Sequence, residues 1–327
     1  MAKKIPTEGD TMVMDPELKD EKDKSDDESQ DEDEKDGSVD DFEEFAAVIP
    51  QIQAEYDLGY KFIKVKWDAW LVRLKLYNNQ KRGKEDIGDP LLFTILQTVL
   101  ASLYTDQLAV TFKGREHGDD ETAENCQMTA EFDSEEMMKE VTDYDWIWDT
   151  LFFGRGLLLM MEWDDETKTP IPEIIDPLTF IRDPDAVSIN GERKKKGASR
   201  FFGREIRMTE RELKAAGVYK NIDSLSKADE TQATPIEQNK QARREAQGYD
   251  VLRQALSGDN KSHILYEWFT WYKGKRYLFT LGQDRTKLLR VQPIKTKKWP
   301  VIDRTLYRTS HDWDGVSIPD LCEDKQR

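Results

Sequence analysis

The sequence predicts an α+β fold, with a helical N-terminal part followed by an antiparallel β/helix region. From Phe45 to Tyr77 the apolar residues recur every three or four positions, which is the spacing of one face of a helix. From His263 to Val291 three apolar and aromatic runs are separated by turn residues, which is typical of a β-meander. Helices and strands therefore dominate different parts of the chain.

The first 44 residues differ in composition from the rest. They contain 19 Asp and Glu and 6 Lys, a net charge of -13, so that -17 minus -13 leaves only -4 for residues 45–327. They have almost no aromatic or β-branched residues, and such a segment cannot bury enough apolar surface to offset chain entropy. We expect a disordered acidic tail over 1–44 and a folded region over 45–327.

Two helices are predicted after the tail. The first covers 41–83 and is kinked or restarted at Pro50. The second covers 89–104 with Pro90 at its first position. Its predicted buried stripe consists of Leu91, Ile95, Val99 and Leu103. A short strand over 108–113 and a polar helix over 121–128 are expected next.

A helix followed at once by a strand is predicted over residues 133–164. Asp133 with Glu136 forms an N-cap signature, and Gly154 supplies the C-cap. The apolar run 157–163 predicts a strand buried on both faces that turns back toward 173–175. The helix residues Trp148, Leu151 and Phe152 are expected to pack against this strand.

Turn and cap signals predict where the elements of the next hundred residues begin and end. Asp-Pro pairs at 176–177 and 183–184 predict turns, and a strand is expected over 199–207. Thr209 with Glu212 caps a short helix that ends near Gly217. Residues 222–260 are polar and predict a surface excursion that contains one helix near 235–256.

The chain ends on a new helix signal. Ser317 is the expected N-cap, Pro319 suits the first turn, and Asp320 completes a capping box. The remaining residues are too few to bury a helix face, so 315–327 are expected to begin a helix of a longer protein.

Neither a disulfide framework nor a membrane span is predicted. Cys126 and Cys322 are far apart in sequence, which favours a reducing compartment. No stretch has the ~20 apolar residues that a membrane span needs. The three histidines lack metal-ligand spacing, and no cofactor is implied.

The candidate catalytic residues have structural explanations. Asp183 and Asp185 could bind a metal, as in a nuclease, but Asp-Pro pairs commonly start turns. The Gly154-Arg155-Gly156 spacing follows a helix and precedes a strand, the reverse of a phosphate-binding loop. Ser317 lacks the full context of a nucleophile elbow. We therefore predict no catalytic residue.

The tryptophans suggest two alternatives. Trp67, Trp70, Trp268 and Trp271 could stack on nucleic acid, but that needs a basic groove, and the one sharp basic run is 193–196. As core or subunit-interface anchors they would concentrate binding energy. The second alternative is preferred.

The order of several segments resembles the front half of a portal protein of tailed double-stranded DNA bacteriophages. The segments that carry the resemblance are 91–97, 145–163, 175–184, 205–217, 266–271 and 314–321 followed by 324–326. Together they span roughly residues 55–327.

The resemblance implies a structural, non-enzymatic protein of the virion. Similar portals are rings of twelve subunits at a capsid vertex, with wing, stem, clip and crown regions, and residues 45–327 would carry much of the wing. The implied partners are other copies of the chain, terminase, capsid and tail proteins, and double-stranded DNA that passes without sequence-specific binding. The predicted structural or interface residues are Trp67, Trp70, Trp148, Gly154, Gly156, Trp268, Trp271, Gly315 and Ser317.

An acidic DNA mimic that binds basic partners through residues 1–44 is the alternative function. Deletion of these residues would abolish the activity of a mimic, whereas a portal should still assemble.

Overall fold

The computed structural model describes residues 42–78, 90–104, 111–116, 118–164, 166–191, 197–225, 234–247, 262–309 and 312–326. The predicted acidic tail and the basic run 193–196 lie outside these ranges, as does the predicted helical segment after residue 247. Within these ranges no helix has both the length and the apolar character needed to cross a membrane.

Seven α-helices occur in the described residues. They are α1 (Ile49–Tyr77), α2 (Leu91–Tyr104), α3 (Asp120–Glu136), α4 (Lys139–Phe153), α5 (Glu210–Ala216), α6 (Pro235–Ala246) and α7 (Ile318–Gln326). A 3-10 helix over Glu43–Val48 precedes α1, and Pro50 lies in the first turn of α1, where its missing N–H costs no hydrogen bond. The predicted restart of the first helix at Pro50 is confirmed.

The described strands form two antiparallel sheets. Their bounds are β1 (Arg155–Trp163), β2 (Pro170–Ile174), β3 (Phe180–Arg182), β4 (Phe201–Thr209), β5 (Ser262–Tyr272), β6 (Lys275–Gly282), β7 (Leu288–Pro293) and β8 (Val301–Thr305). The small sheet has the order β2-β1-β8, and the large sheet has the order β3-β4-β5-β6-β7. The fold class is therefore α+β, as predicted.

The large sheet is covered on both faces because its residues alternate between two cores. Trp268 and Phe279 point into the main core with α1, α2 and α4, whereas Phe269 and Leu278 point into a second core with the small sheet. Helices, large sheet and small sheet thus form three layers.

Turn and cap residues in the sequence correctly predicted the β5–β6 hairpin and helix α5. The β5–β6 turn contains Lys273 and Gly274, both at positive φ, which suits the twist of a tight hairpin. The capping box of Thr209 and Glu212 begins α5, and Gly217 ends it in the left-handed conformation. The meander and the short capped helix are confirmed.

The predicted buried stripe of α2 is wrong, and the predicted strand over 108–113 is not seen at its described residues, while 108–110 lie outside the described ranges. The buried residues of α2 are Leu92, Leu96 and Leu100, one position after the predicted stripe, and Leu103 is exposed. Apolar residues surround most of this helix, so spacing alone did not select the face that contacts α4 and α7. Of the predicted strand over 108–113, the described residues 111–113 are not in a strand.

The helix-to-strand block also needs correction. Asp133 lies inside α3, and α4 begins instead after Met138, which has a left-handed backbone at φ +45°. Strand β1 is buried only in its first half, because β8 pairs with residues 155–159 and leaves the far end exposed. Leu151 and Phe152 lie in the main core, while Leu157 and Leu159 of β1 lie in the second core. Helix α4 does contact β1, as predicted, but Leu151 and Phe152 contribute to a different core from Leu157 and Leu159.

Candidate functional site

A close backbone contact joins the end of α4 to the loop before α7. Gly154 ends α4 at φ +80°, and a Cβ atom on it would collide with the carbonyl oxygen of Gly315. A Cβ atom on Gly315 would lie 2.6 Å from the Gly154 oxygen and 2.5 Å from Cγ2 of Thr305. Since real Cβ atoms do not approach this closely, both positions require glycine.

The reason for glycine differs between these two residues. Gly315 is not among the residues at positive φ, so its backbone conformation does not require glycine. Close approach of two backbones requires it instead. Gly156 is similarly crowded, because a Cβ atom there would lie 2.7 Å from the oxygen of Trp146.

The capping box of Ser317 begins α7. The Asp320 carboxylate accepts hydrogen bonds from the backbone N–H and the hydroxyl of Ser317, both at 2.7 Å, and the Asp320 N–H donates to Ser317 Oγ at 3.2 Å. Arg73 of α1 pairs with the same carboxylate at 2.5 Å. Burial alone would raise the pKa of Asp320, but these hydrogen bonds hold it below its usual range. The predicted cap is confirmed, and it also ties α7 to α1.

Two buried arginines lie beside this contact and share one tryptophan. The guanidinium carbon of Arg155 lies 4.3 Å from the ring centre of Trp313, and that of Arg182 lies 5.0 Å from the same ring. Arg182 also lies 4.7 Å from the ring of Phe62 in α1. These contacts are in cation–π range, and they bring together α1, β1, β3 and the loop before α7.

Two carboxylates compensate the charges of these arginines. Arg155 pairs with Asp303 of β8, and Arg182 donates to Asp314 at 2.7 Å. Lys66 of α1 also pairs with Asp314, at 3.1 Å. Burial lowers the pKa of Arg155 to about 10 and also lowers that of Arg182, although the aspartates oppose the shift. Both side chains remain charged at neutral pH.

We call this set the arginine junction: Gly154, Arg155, Arg182, Asp303, Trp313, Asp314 and Gly315. Removal of one partner from a buried pair leaves an uncompensated charge, which typically costs about 3 to 5 kcal/mol. The arrangement therefore fixes the relative positions of the helical layer and the two sheets. Of the predicted residues, Gly154 and Gly315 lie in the junction, and Gly156 and Ser317 adjoin it.

Three of the four tryptophans proposed for stacking are inside the protein. Trp67 donates to the carbonyl oxygen of Pro177 at 3.1 Å, and Trp268 donates to Glu55 at 2.7 Å. Trp70 packs edge-on against Phe153 with ring centres 5.0 Å apart. Trp271 is 40% exposed and lies beneath Arg276. Buried rings cannot stack on nucleic acid, which leaves them a role in the core.

Trp148 belongs to an aromatic group at the C-terminal end of α1. Its ring stacks on Phe152 with centres 4.9 Å apart, and both rings contact Tyr77 edge-on. These contacts join the aromatic side chains of α4 to the C-terminal end of α1.

The two aspartates considered for metal binding are held by Arg200. Asp183 accepts bonds from Arg200 Nε and Nη2, each at 2.7 Å, and Asp185 accepts one at 2.6 Å. Burial opposes ionisation, but the bonds to Arg200 lower the pKa of Asp183. Throughout the described part of the chain, no group of three or more His, Cys, Asp or Glu residues could hold a metal ion.

The sequence interpretation did not identify the arginines of the junction. Arg155 begins an apolar strand, and Arg182 ends the short run Phe180–Arg182. A charged residue at the edge of an apolar run is a detectable signal. The partners of these two arginines, Asp303 and Asp314, lie more than a hundred residues later, and no local sequence pattern connects them to the arginines.

One comparison with known proteins identifies a family. Residues 165–327 match the family model described as phage SU10 portal protein. The matched region contains Arg182, Asp303, Trp313, Asp314 and Gly315 of the junction. No curated protein matches the chain.

Proposed function

Since this chain is a phage portal protein, matching the SU10 portal family over residues 165–327, we propose that it forms the ring-shaped DNA channel at one vertex of the capsid. In this role twelve copies would surround the channel. DNA would enter through the ring during packaging and leave through it during ejection. The family match is the observation that carries the proposal.

The arginine junction suits a subunit that must keep its shape within such a ring. It links α1 of the helical layer, β3 of the large sheet, and β1 and β8 of the small sheet. A wall around moving DNA needs fixed relative positions of its layers, and buried charge pairs favour one arrangement over others. The junction supports a structural rather than a catalytic role.

The charge balance supports passage of DNA without retention. Residues 45–327 have a formal net charge of -4. A protein that neutralised many phosphates would release counterions and bind DNA strongly, which would oppose sliding. The chain would therefore conduct DNA without reading its sequence.

We further propose that the ring provides the docking site for terminase during packaging and for tail proteins afterwards, and that the chain itself catalyses nothing. The pairing of Asp183 and Asp185 with Arg200 supports the absence of catalysis, because Arg200 compensates the charge of both carboxylates and no metal ion is needed to explain them.

The test is the DNA content of heads assembled with and without the chain. We expect heads that lack it to contain no packaged genome and heads that contain it to be filled. Normal filling without the chain would contradict the proposal.

A separate variant tests whether the chain is catalytic. Asp185→Asn changes an exposed carboxylate and should leave the DNA content of heads unchanged. Loss of packaging in Asp185→Asn with normally assembled rings would contradict the non-catalytic role.

A further inference from the structure

The end of the large sheet that carries the β5–β6 turn is rich in lysine. Lys273 and Lys275 flank Gly274 in this turn, and both lysines are exposed. The loop between β7 and β8 adds three exposed lysines, which are Lys295, Lys297 and Lys298.

Arg276 holds this loop against the turn. Its backbone oxygen accepts a hydrogen bond from the N–H of Ile294 at 2.9 Å, and its Nη1 donates to the carbonyl oxygen of Thr296 at 3.0 Å. Its guanidinium carbon lies 4.5 Å from the ring centre of Trp271 and 5.2 Å from that of Trp299. The five lysines therefore belong to one end of the sheet, which we call the lysine tip: Lys273, Lys275, Arg276, Lys295, Lys297 and Lys298.

Few carboxylates neutralise the lysine tip. Glu44 pairs with Lys273 at 2.8 Å, and among the described residues no carboxylate pairs with the other four lysines. Glu43 adjoins Glu44 in sequence, and Glu162 follows the part of β1 that pairs with β8. Subtracting these three carboxylates from the six cations leaves a local charge of +3, whereas residues 45–327 as a whole have a charge of -4.

The composition of the tip favours a nucleic acid over a protein as its partner. Lysine is depleted in protein–protein interfaces relative to the rest of the surface. Lysines pair readily with the phosphates of a nucleic acid, and such contacts carry no direct sequence information. The four lysines that have no acidic partner among the described residues are available for contacts of this kind.

We propose that the lysine tip is the surface through which the chain touches double-stranded DNA, by contact with backbone phosphates and without base recognition. The inference deepens the proposed function, and it rests on that function for the choice of duplex DNA as the nucleic acid. Non-specific contacts of this kind are weak at physiological salt and let a protein slide along DNA. A small region of positive charge on a negatively charged chain thus allows contact with DNA without retention.

The test is binding of the full chain to a short fluorescent DNA duplex, followed by anisotropy at several salt concentrations. The triple variant Lys295→Gln, Lys297→Gln and Lys298→Gln removes three charges from the lysine tip. Each lost phosphate contact should reduce the slope of log affinity against log salt by about 1, so the slope should fall by about 3 in this variant.

Three lysines of α1 provide a matched control. Lys61→Gln, Lys64→Gln and Lys75→Gln change the net charge equally, and these lysines are exposed and lie outside the tip. The control variant should retain the wild-type slope. Circular dichroism would confirm that both triple variants fold.

Several results would overturn the inference. One is a wild-type chain that does not bind the duplex at low salt. Another is an unchanged slope in the tip variant, or an equal fall of the slope in the control, because net charge alone would then explain binding. Tighter binding of polyglutamate than of the duplex would assign the tip to an acidic protein partner instead. The DNA content of heads tests the portal role separately, so failure of the inference leaves that role standing.

Discussion

Substitution of Gly154 by alanine tests the backbone contact at the arginine junction, and the chain contains a matched control. Gly154 ends α4 at φ +80° and ψ -9°, and Gly217 ends α5 at φ +67° and ψ -9°. A Cβ atom on Gly154 would collide with Gly315, whereas a Cβ atom on Gly217 would meet nothing within 4 Å. The two positions share a backbone conformation and differ in packing.

The expected magnitudes follow from this difference. Placing alanine in the left-handed conformation costs about 1 to 2 kcal/mol, and this is the whole cost expected for Gly217→Ala. At Gly154 the backbone must also move away from Gly315, and overpacking adds about 1 to 3 kcal/mol. Gly154→Ala should therefore lower the free energy of unfolding by roughly 2 to 5 kcal/mol in total.

Urea denaturation followed by tryptophan fluorescence would measure both variants. Trp313 lies within the junction, so its environment reports on the same region. Equal losses of stability in Gly154→Ala and Gly217→Ala would refute the reasoning, because they would show that the contact with Gly315 adds nothing.

Three further predictions concern buried side chains. Leu151→Ala should lower the free energy of unfolding by about 2 to 5 kcal/mol, because Leu151 lies in the main core; a change below roughly half a kcal/mol in urea titration would place this residue outside the core. Asp149→Asn should stabilise the protein at neutral pH. Burial, together with the charge of Asp176, raises the pKa of Asp149. The stability that a protonated Asp149 contributes to the wild type is therefore fully present below the ordinary pKa of aspartate and is lost as the pH rises through the raised pKa. The stability of Asp149→Asn relative to wild type, measured by thermal denaturation, should therefore increase with pH, and a decrease would contradict the assignment. Ser317→Ala should cost about 0.5 to 2 kcal/mol by removing the cap of α7, and slower amide exchange at Asp320 in this variant would be inconsistent with that role.

The sequence predicted those elements whose signals are local. The caps at Thr209 and Ser317 and the C-terminal glycine of α4 involve residues within one helical turn of each other, so pattern alone locates them. The meander was predicted because its turns are short and its strands are strongly apolar.

The features that the sequence did not predict depend on distant partners. Strand β8 begins at Val301 and pairs with β1, which ends more than a hundred residues earlier. The arginine junction likewise joins residues from four separate segments. The face of α2 could not be chosen from spacing because only the positions of α4 and α7 decide which leucines are buried.

The location of the chain in the virion tests the central claim most directly. Heads would be purified from infected cells that produce the chain with an affinity tag, and the tag would be labelled with gold for electron microscopy. The account predicts label at a single vertex of each head, because a portal ring occupies one vertex. Label spread over the whole shell, or heads filled with DNA that carry no label, would contradict it.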